Sequence, residues 1–192
     1  MSLTNGLIQI VQYCGIGIVA GTPFADPILP NRWHFMPVFP PLGGTELLLK
    51  SFASLIILAC GLLASHWRKR QSANVKYRHG FLVAASGLAV YLALTLFFVV
   101  RLDNPYDHTY EFRSIGFLRT ELGRTDPDLK NAPPLLAIHA VGTDEGHIET
   151  VWEPWSIYVV RFFLFASFVV TLGSFNYAFG AVKIDINDLS SA

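Results

Sequence analysis

Three long apolar runs constrain this chain more than any other feature of its sequence. Residues 45–66 form a run of 22 residues with Lys50 as the one internal cation. Residues 80–100 form a run of 21 without any charge, and residues 155–182 form a run of 28 interrupted only by Arg161. A helix rises about 1.5 Å per residue and a bilayer core is about 30 Å thick, so each run can span it. We therefore predict three membrane-spanning helices rather than buried helices of a soluble domain.

A fourth and shorter apolar run occupies residues 3–20. As a helix it would reach about 27 Å, which is barely enough to span. Gln9, Gln12, Tyr13 and Ile16 fall on one side at helical spacing, so we expect that side to face protein rather than lipid. A spanning helix is favoured, and a re-entrant or interfacial helix is the alternative.

The composition agrees with a hydrocarbon environment. Of 192 residues, 52% are hydrophobic and only 15% are charged, whereas soluble domains use about a quarter of their residues for charge. The formal net charge is zero, so no overall field favours nucleic acid or an acidic partner. The predicted fold class is all-α integral membrane: a four-helix transmembrane bundle, in which the first helix is the weakest, with a small α+β extracytoplasmic cap.

The connector between the second and third runs indicates the orientation. It carries five cations and no carboxylate, namely Arg68, Lys69, Arg70, Lys76 and Arg78. Short loops rich in Lys and Arg stay on the cytoplasmic side, so residues 67–79 are predicted to be a cytoplasmic loop. If the first run also spans, both termini are cytoplasmic, and a bacterial inner membrane is the expected location. We expect the loop to contact membrane lipids or a cytoplasmic protein; nucleic acid has no direct support.

The chain divides into three parts on this interpretation. Residues 1–101 hold the first three helices, a proline-rich outer loop at 22–44 and the basic loop. Residues 102–154 form the cap, whose ten carboxylates exceed its four cations. Residues 155–192 hold the fourth helix and a cytoplasmic tail.

Two elements are predicted within the cap. Residues 111–122 place apolar side chains on one face, which predicts a short amphipathic helix. Residues 135–153 hold two apolar segments around the sequence GTDEG, which predicts a β-hairpin. Trp152 and Trp155 are expected at the outer headgroup layer, where amphipathic rings are favoured. A cap of this size is expected to cover or recognise rather than to catalyse.

Three charged residues enter the apolar runs near the predicted outer surface: Glu46, Lys50 and Arg161. Glu46 and Lys50 are four apart, which is compatible with an ion pair along a helix. Lys50 and Arg161 are expected to extend toward headgroups or toward the carboxylates of Glu46 and Glu153. The alternative is a cationic vestibule that attracts an anion.

Small and hydroxyl residues at helical spacing predict where helices approach closely in lipid. They are Gly61 and Ser65 in the second run, Ala85, Ala89 and Ala93 in the third, and Ser167, Thr171 and Ser174 in the fourth. Packing within one bundle would explain most of these rows, and a surplus face would be available to other subunits.

The chain carries no recognised catalytic signature. It has no GxSxG, no glycine-rich phosphate loop and no HExxH, and no histidine deep in an apolar run could ligate haem. His139 and His147 have no short metal-ligand spacing. We therefore expect no catalytic residues, no cofactor and no metal.

Two functional hypotheses follow. The first is a non-enzymatic multi-pass membrane subunit that oligomerises, or that anchors or senses for a partner complex, of the respiratory accessory or bacterial stress or phage-defence type. The alternative is a small oligomeric channel or transporter with a cationic outer vestibule.

Overall fold

Helices make up most of the computed structural model, which describes residues 3–24, 39–42, 46–68, 76–103, 110–142 and 145–181. The three longest are α2 (Glu46–Arg68), α3 (Lys76–Phe98) and α8 (Pro154–Ala181). Each contains a stretch long and apolar enough to cross a membrane. The prediction of three such helices is confirmed.

The first apolar run forms helix α1 (Leu3–Gly21), followed by a short 3-10 turn at Thr22–Phe24. Gln12 and Ile16 are buried as predicted, but Tyr13 is half exposed. The prediction for Tyr13 is wrong because α1 contacts the bundle through a narrow stripe, and Tyr13 lies beside that stripe. Two further points are not tested: the side chain of Gln9 falls outside the described part, and whether α1 spans a membrane stays a prediction.

Helix α8 is the centre of the bundle, and α1, α2 and α3 all pack against it. Half of its apolar span is buried within the protein, compared with 22% for α2 and 17% for α3. Because α2 and α3 flank α8, most of their apolar surface faces outward. A soluble protein would cover such surfaces, whereas lipid solvates them without cost.

The proline-rich loop reaches into the bundle at the end that adjoins the cap, here named the cap end. Phe39 and Leu42 are buried there, and the Phe39 ring meets the edges of Phe168 and Phe165 with centroid distances of 5.3 and 6.3 Å. The core at this end comprises Ala20, Phe39, Leu42, Ala53, Ile57, Tyr91, Val160, Leu164 and Phe168. The rest of this loop, residues 25–38 and 43–44, lies outside the described residues.

The cap begins as a direct continuation of α3. Strand β1 (Val99–Asp103) pairs antiparallel with β2 (Tyr110–Ser114), in a register that sets Val99 opposite Ser114. The β-branched pair Val99 and Val100 favours this change from helix to strand. The amide of Ile115 donates to the Phe98 carbonyl over 2.9 Å, which fixes the hairpin on the end of α3.

Both elements predicted within the cap are wrong. The expected helix at 111–122 is replaced by β2 and by a later helix, α4 (Glu121–Thr125), followed by α5 (Pro127–Lys130). The expected hairpin at 135–153 is two helices, α6 (Pro134–Val141) and α7 (Glu145–Val151).

Helix signals outweigh the strand-like apolar run at 135–141. Pro134 occupies the first turn of α6, where a missing N–H costs nothing, and Gly142 ends the helix with a φ of 113°. Ala137 and Ile138 are buried while Leu135 and Leu136 are exposed. The run is therefore one amphipathic helix.

An arginine lies at the centre of the cap. The Arg119 guanidinium donates to the carbonyls of Leu129, Lys130 and Ala132, the last two over 2.9 and 2.6 Å, and it lies 5.9 Å from the centroid of the Trp152 ring. It thereby satisfies carbonyls at and just beyond the end of α5 that have no partner within the helix. Trp152 is buried in the cap core, so its ring contacts protein, and its depth relative to a headgroup layer stays a prediction.

Candidate functional site

The first candidate is the charged pair at the cap end of α2. Lys50 Nζ lies 3.7 Å from Glu46 Oε2, one helical turn away, as the spacing predicts. The same ammonium lies 5.4 Å from the centroid of the Phe39 ring, within range of a cation–π interaction. The Lys50 side chain is largely covered and the Glu46 side chain is more exposed. The charge of Lys50 is therefore compensated by a carboxylate and an aromatic face.

Arg161 connects the bundle to the cap. Its Nε donates to Ser114 Oγ over 2.8 Å, and its guanidinium carbon lies 5.8 Å from the centroid of the Tyr158 ring. Ser114 is buried at the end of β2, so the bond joins α8 to the hairpin. The sequence predicted headgroups or carboxylates as partners, and the structure adds a serine that it did not predict.

The basic connector is shorter than predicted because both flanking helices extend into it. Arg68 is the last residue of α2, Lys76 is the first residue of α3, and Arg78 is exposed in the first turn of α3. Lys69 and Arg70 lie outside the described residues. The described cations of this group therefore lie at helix ends, all at the end of the bundle opposite the cap.

The small-residue row on α8 packs against α3. A Cβ atom at Gly87 would lie 2.7 Å from Thr171 Oγ1, and one at Gly80 would lie 3.2 Å from the Ser174 carbonyl oxygen. The hydroxyls remain satisfied within α8, since Ser167 Oγ donates to the Leu164 carbonyl over 3.0 Å and Thr171 Oγ1 to the Ser167 carbonyl over 2.6 Å. This row is a close helix contact.

The row on α2 is also buried, where three helices meet. A Cβ atom at Gly61 would lie 2.8 Å from Asn176 Nδ2 on α8 and 2.9 Å from Ile16 on α1. Ser65 is buried and donates to the Leu62 carbonyl over 2.8 Å. The absence of a side chain at Gly61 thus permits α1, α2 and α8 to approach one another.

The row on α3 behaves differently. Ala85, Ala89 and Ala93 are all exposed, and the face that contacts α8 carries other residues. Those residues are Gly80, Ala84, Gly87, Tyr91 and Thr95. The predicted row is therefore not an intramolecular contact, which leaves a strip of small side chains on the outside of the bundle.

Two buried amides complete the three-helix junction. Gln12 Nε2 on α1 donates to the carbonyls of Phe179 and Gly180 over 2.9 and 3.0 Å, near the end of α8 where carbonyls lack helical partners. Asn176 Nδ2 donates to the Ile57 carbonyl over 2.8 Å and to the Ile16 carbonyl over 3.4 Å. Gln12 belongs to the side of α1 predicted to face protein. Asn176 was missed, although it is the only amide side chain in its apolar run.

These sites differ in what they can do chemically. Among the described residues, no three His, Cys, Asp or Glu side chains gather closely enough to hold a metal ion. The charged groups at the cap end and the amides at the junction stabilise helix contacts. Comparison of the chain with family models, with curated proteins and with solved structures finds no match.

Proposed function

We propose that this chain is a non-enzymatic, multi-pass membrane subunit that associates with a second copy of itself through the outward face of α3. The observation that carries the proposal is the outward row Ala85, Ala89 and Ala93. The corresponding rows on α2 and α8 are used inside the bundle, whereas this one is not.

The physical reason is the character of association in lipid. Lipid tails are as apolar as leucine, so helices associate where small residues let backbones approach closely. The α3 row presents three such residues on successive turns, and α3 has the least buried span of the three long helices. A symmetric pair of α3 helices would therefore form the closest available contact.

The test compares two substitutions on α3 by light scattering of the purified protein in mild detergent. We expect the unaltered protein to be a dimer and Ala89→Phe to shift it toward monomer. Val90→Phe is the matched control, since Val90 is also exposed but lies off the row, and it should leave the dimer unchanged. A monomeric unaltered protein, or equal behaviour of the two variants, would contradict the proposal.

The location that accompanies this proposal is the bacterial inner membrane, with both termini and the basic connector in the cytoplasm. The basis is the excess of Lys and Arg in the connector. The basic connector would then lie near anionic lipid headgroups or an acidic cytoplasmic protein, and the cap would cover the opposite side or meet a partner there.

The alternative function, an anion-attracting channel, needs cations that face an aqueous mouth. Lys50 is compensated by Glu46 and lies near the Phe39 ring, and Arg161 is bonded to Ser114. Phe39 also fills the core between the helices at this end. We therefore favour the subunit over the channel.

A further inference from the structure

An aromatic pair lies exposed where the cap meets α8. The rings of Phe117 and Trp155 are in edge-to-face contact, with centroids 5.2 Å apart and an interplanar angle of 82°. Even so, Phe117 remains 50% exposed and Trp155 52% exposed. Two large rings that cover each other only partly leave a continuous apolar patch, which on a water-facing surface marks a contact with something else.

The backbone fixes the position of Phe117. The amide of Glu153 donates to the Leu118 carbonyl over 2.9 Å, and Ser156 Oγ donates to the same carbonyl over 3.3 Å. On the other side, Gly116 packs so closely on Ser156 that an added Cβ atom would collide with Oγ. Contacts on both sides of Phe117 therefore hold this segment against the first turn of α8, and they fix the position of the Phe117 ring.

The pair continues the outward face of α8. Trp155, Tyr158 and Phe162 are spaced three and four residues apart, which places them on one side of the helix, and all are more than half exposed. This helix is one of the three that are long and apolar enough to cross a membrane. Phe117 is the cap residue that extends this face beyond the helix.

We propose that Phe117 and Trp155 anchor the cap in the interfacial layer of a phospholipid bilayer. Indole and phenol rings favour this layer because one part of each is apolar and another can reach water. Trp155 and Tyr158 supply such rings on α8, and Phe117 adds a purely apolar ring from the cap. The cap is thereby held against the membrane surface. The proposal rests on membrane insertion of the long helices and is independent of self-association.

The test measures the depth of residue 117 directly. A nitroxide is attached to Phe117→Cys, in a background with Cys14 and Cys60 replaced by Ala, and the protein is placed in phosphatidylcholine vesicles. We expect collisions with oxygen, which partitions into lipid, to exceed collisions with a water-soluble nickel chelate severalfold. Glu111→Cys is the control. This exposed residue pairs with Leu102, whereas Ser114 pairs with Val99 at the start of β1. Glu111 therefore lies about 10 Å further from the end of α3 than Ser114 does. Its label should show the opposite preference.

Either of two other results would overturn the proposal. If the nickel chelate reaches the label at 117 as readily as the label at 111, the aromatic pair lies in water. If neither reagent reaches the label at 117, the pair lies in a protein contact.

A second measurement does not depend on the cysteine variant folding. The swap Phe117→Trp with Trp155→Phe keeps the aromatic pair but moves the indole onto the cap.

The swap should fluoresce more than Trp155→Phe alone, because it adds an indole at position 117. In vesicles of brominated phosphatidylcholine, most of this added fluorescence should be quenched. An unquenched gain would contradict the anchor.

Discussion

Phe39 belongs to a proline-rich segment that cannot form a regular helix, yet its side chain is among the most buried in the bundle. It packs on Phe165 and Phe168 of α8 and lies under the ammonium of Lys50. Its ring therefore contacts protein rather than the outside of the bundle. Phe39 therefore substitutes for helix-to-helix packing at the cap end, where α2 and α3 flank α8.

Phe39→Ala should consequently destabilise the protein by about 3–5 kcal/mol, since it removes a large buried ring and leaves a cavity between helices. The measurement is the free energy of unfolding in detergent, followed by circular dichroism. Phe97→Ala is the matched control, because Phe97 is one of the most exposed side chains of α3 and its loss creates no cavity. A smaller effect for Phe39→Ala than for Phe97→Ala would refute the structural role of Phe39.

Arg161 shows what a sequence can and cannot predict about one residue. A lone cation in a run of 28 apolar residues must find a polar partner, and that much is visible from the sequence. Its partner Ser114 is 47 residues away, in a segment predicted to be helical. Because the strand was misassigned, the contact between α8 and the hairpin could not be predicted.

At the scale of elements, the approach of α8 to α2 depends on glycine. A Cβ atom at Gly180 would lie 2.5 Å from the Gly61 carbonyl oxygen and 3.1 Å from the Ala64 Cβ. The first of these is a backbone atom that no side-chain rotation can move. Gly180→Ala should therefore force the helices apart and lower stability by about 1–3 kcal/mol, as overpacking does.

The control for this substitution is Gly17→Ala. Gly17 has no atom within 4 Å of a built Cβ, and alanine is the better helix former by about 1 kcal/mol. We expect Gly17→Ala to unfold at the same temperature as the unaltered protein or higher, and Gly180→Ala to unfold lower, in parallel thermal scans. Equal shifts for both would argue against the close contact.

The α3 rows explain why helix packing is only partly predictable in this chain. In water, the polar face of a helix identifies its exposed side. In lipid both faces are apolar, so small residues on two sides of α3 do not indicate which side meets α8. The structure uses Gly80, Ala84 and Gly87 and leaves Ala89 outside. The three-dimensional path of α8 decides between them.

The cap shows why secondary structure is also only partly predictable from this sequence. Short apolar segments of seven or so residues fit a strand or a buried helix equally well by periodicity. Pro134 and Gly142 around α6 would have resolved the choice, since they are start and stop signals for helices. The long apolar runs are free of this ambiguity because only a helix satisfies so many backbone groups within lipid.

At the scale of the whole molecule, the three helices that are long and apolar enough to cross a membrane are compatible with a bilayer, and the distribution of charge is the basis of the proposed orientation. The connector at one end of the bundle is cationic, while the cap at the other end is acidic. These charges lie at opposite ends because α2 and α3 traverse the bundle in opposite directions and α8 returns from the cap. On the proposed membrane insertion, the Lys and Arg residues of the connector favour the cytoplasmic side, and the cap would then lie on the opposite side.

Single cysteines at Ser72 and Asp144, with Cys14 and Cys60 replaced by Ala, test this arrangement. A membrane-impermeant maleimide applied to intact cells should label Asp144→Cys and leave Ser72→Cys unlabelled until the membrane is permeabilised. Asp128→Cys on α5 serves as a second position, since Asp128 is exposed in the cap and should follow Asp144. Labelling of Ser72→Cys in intact cells would indicate the opposite orientation. If the reagent labels Ser72→Cys and Asp144→Cys equally from one side, the connector and the cap lie on the same side of the membrane. That result would contradict an odd number of crossings between them.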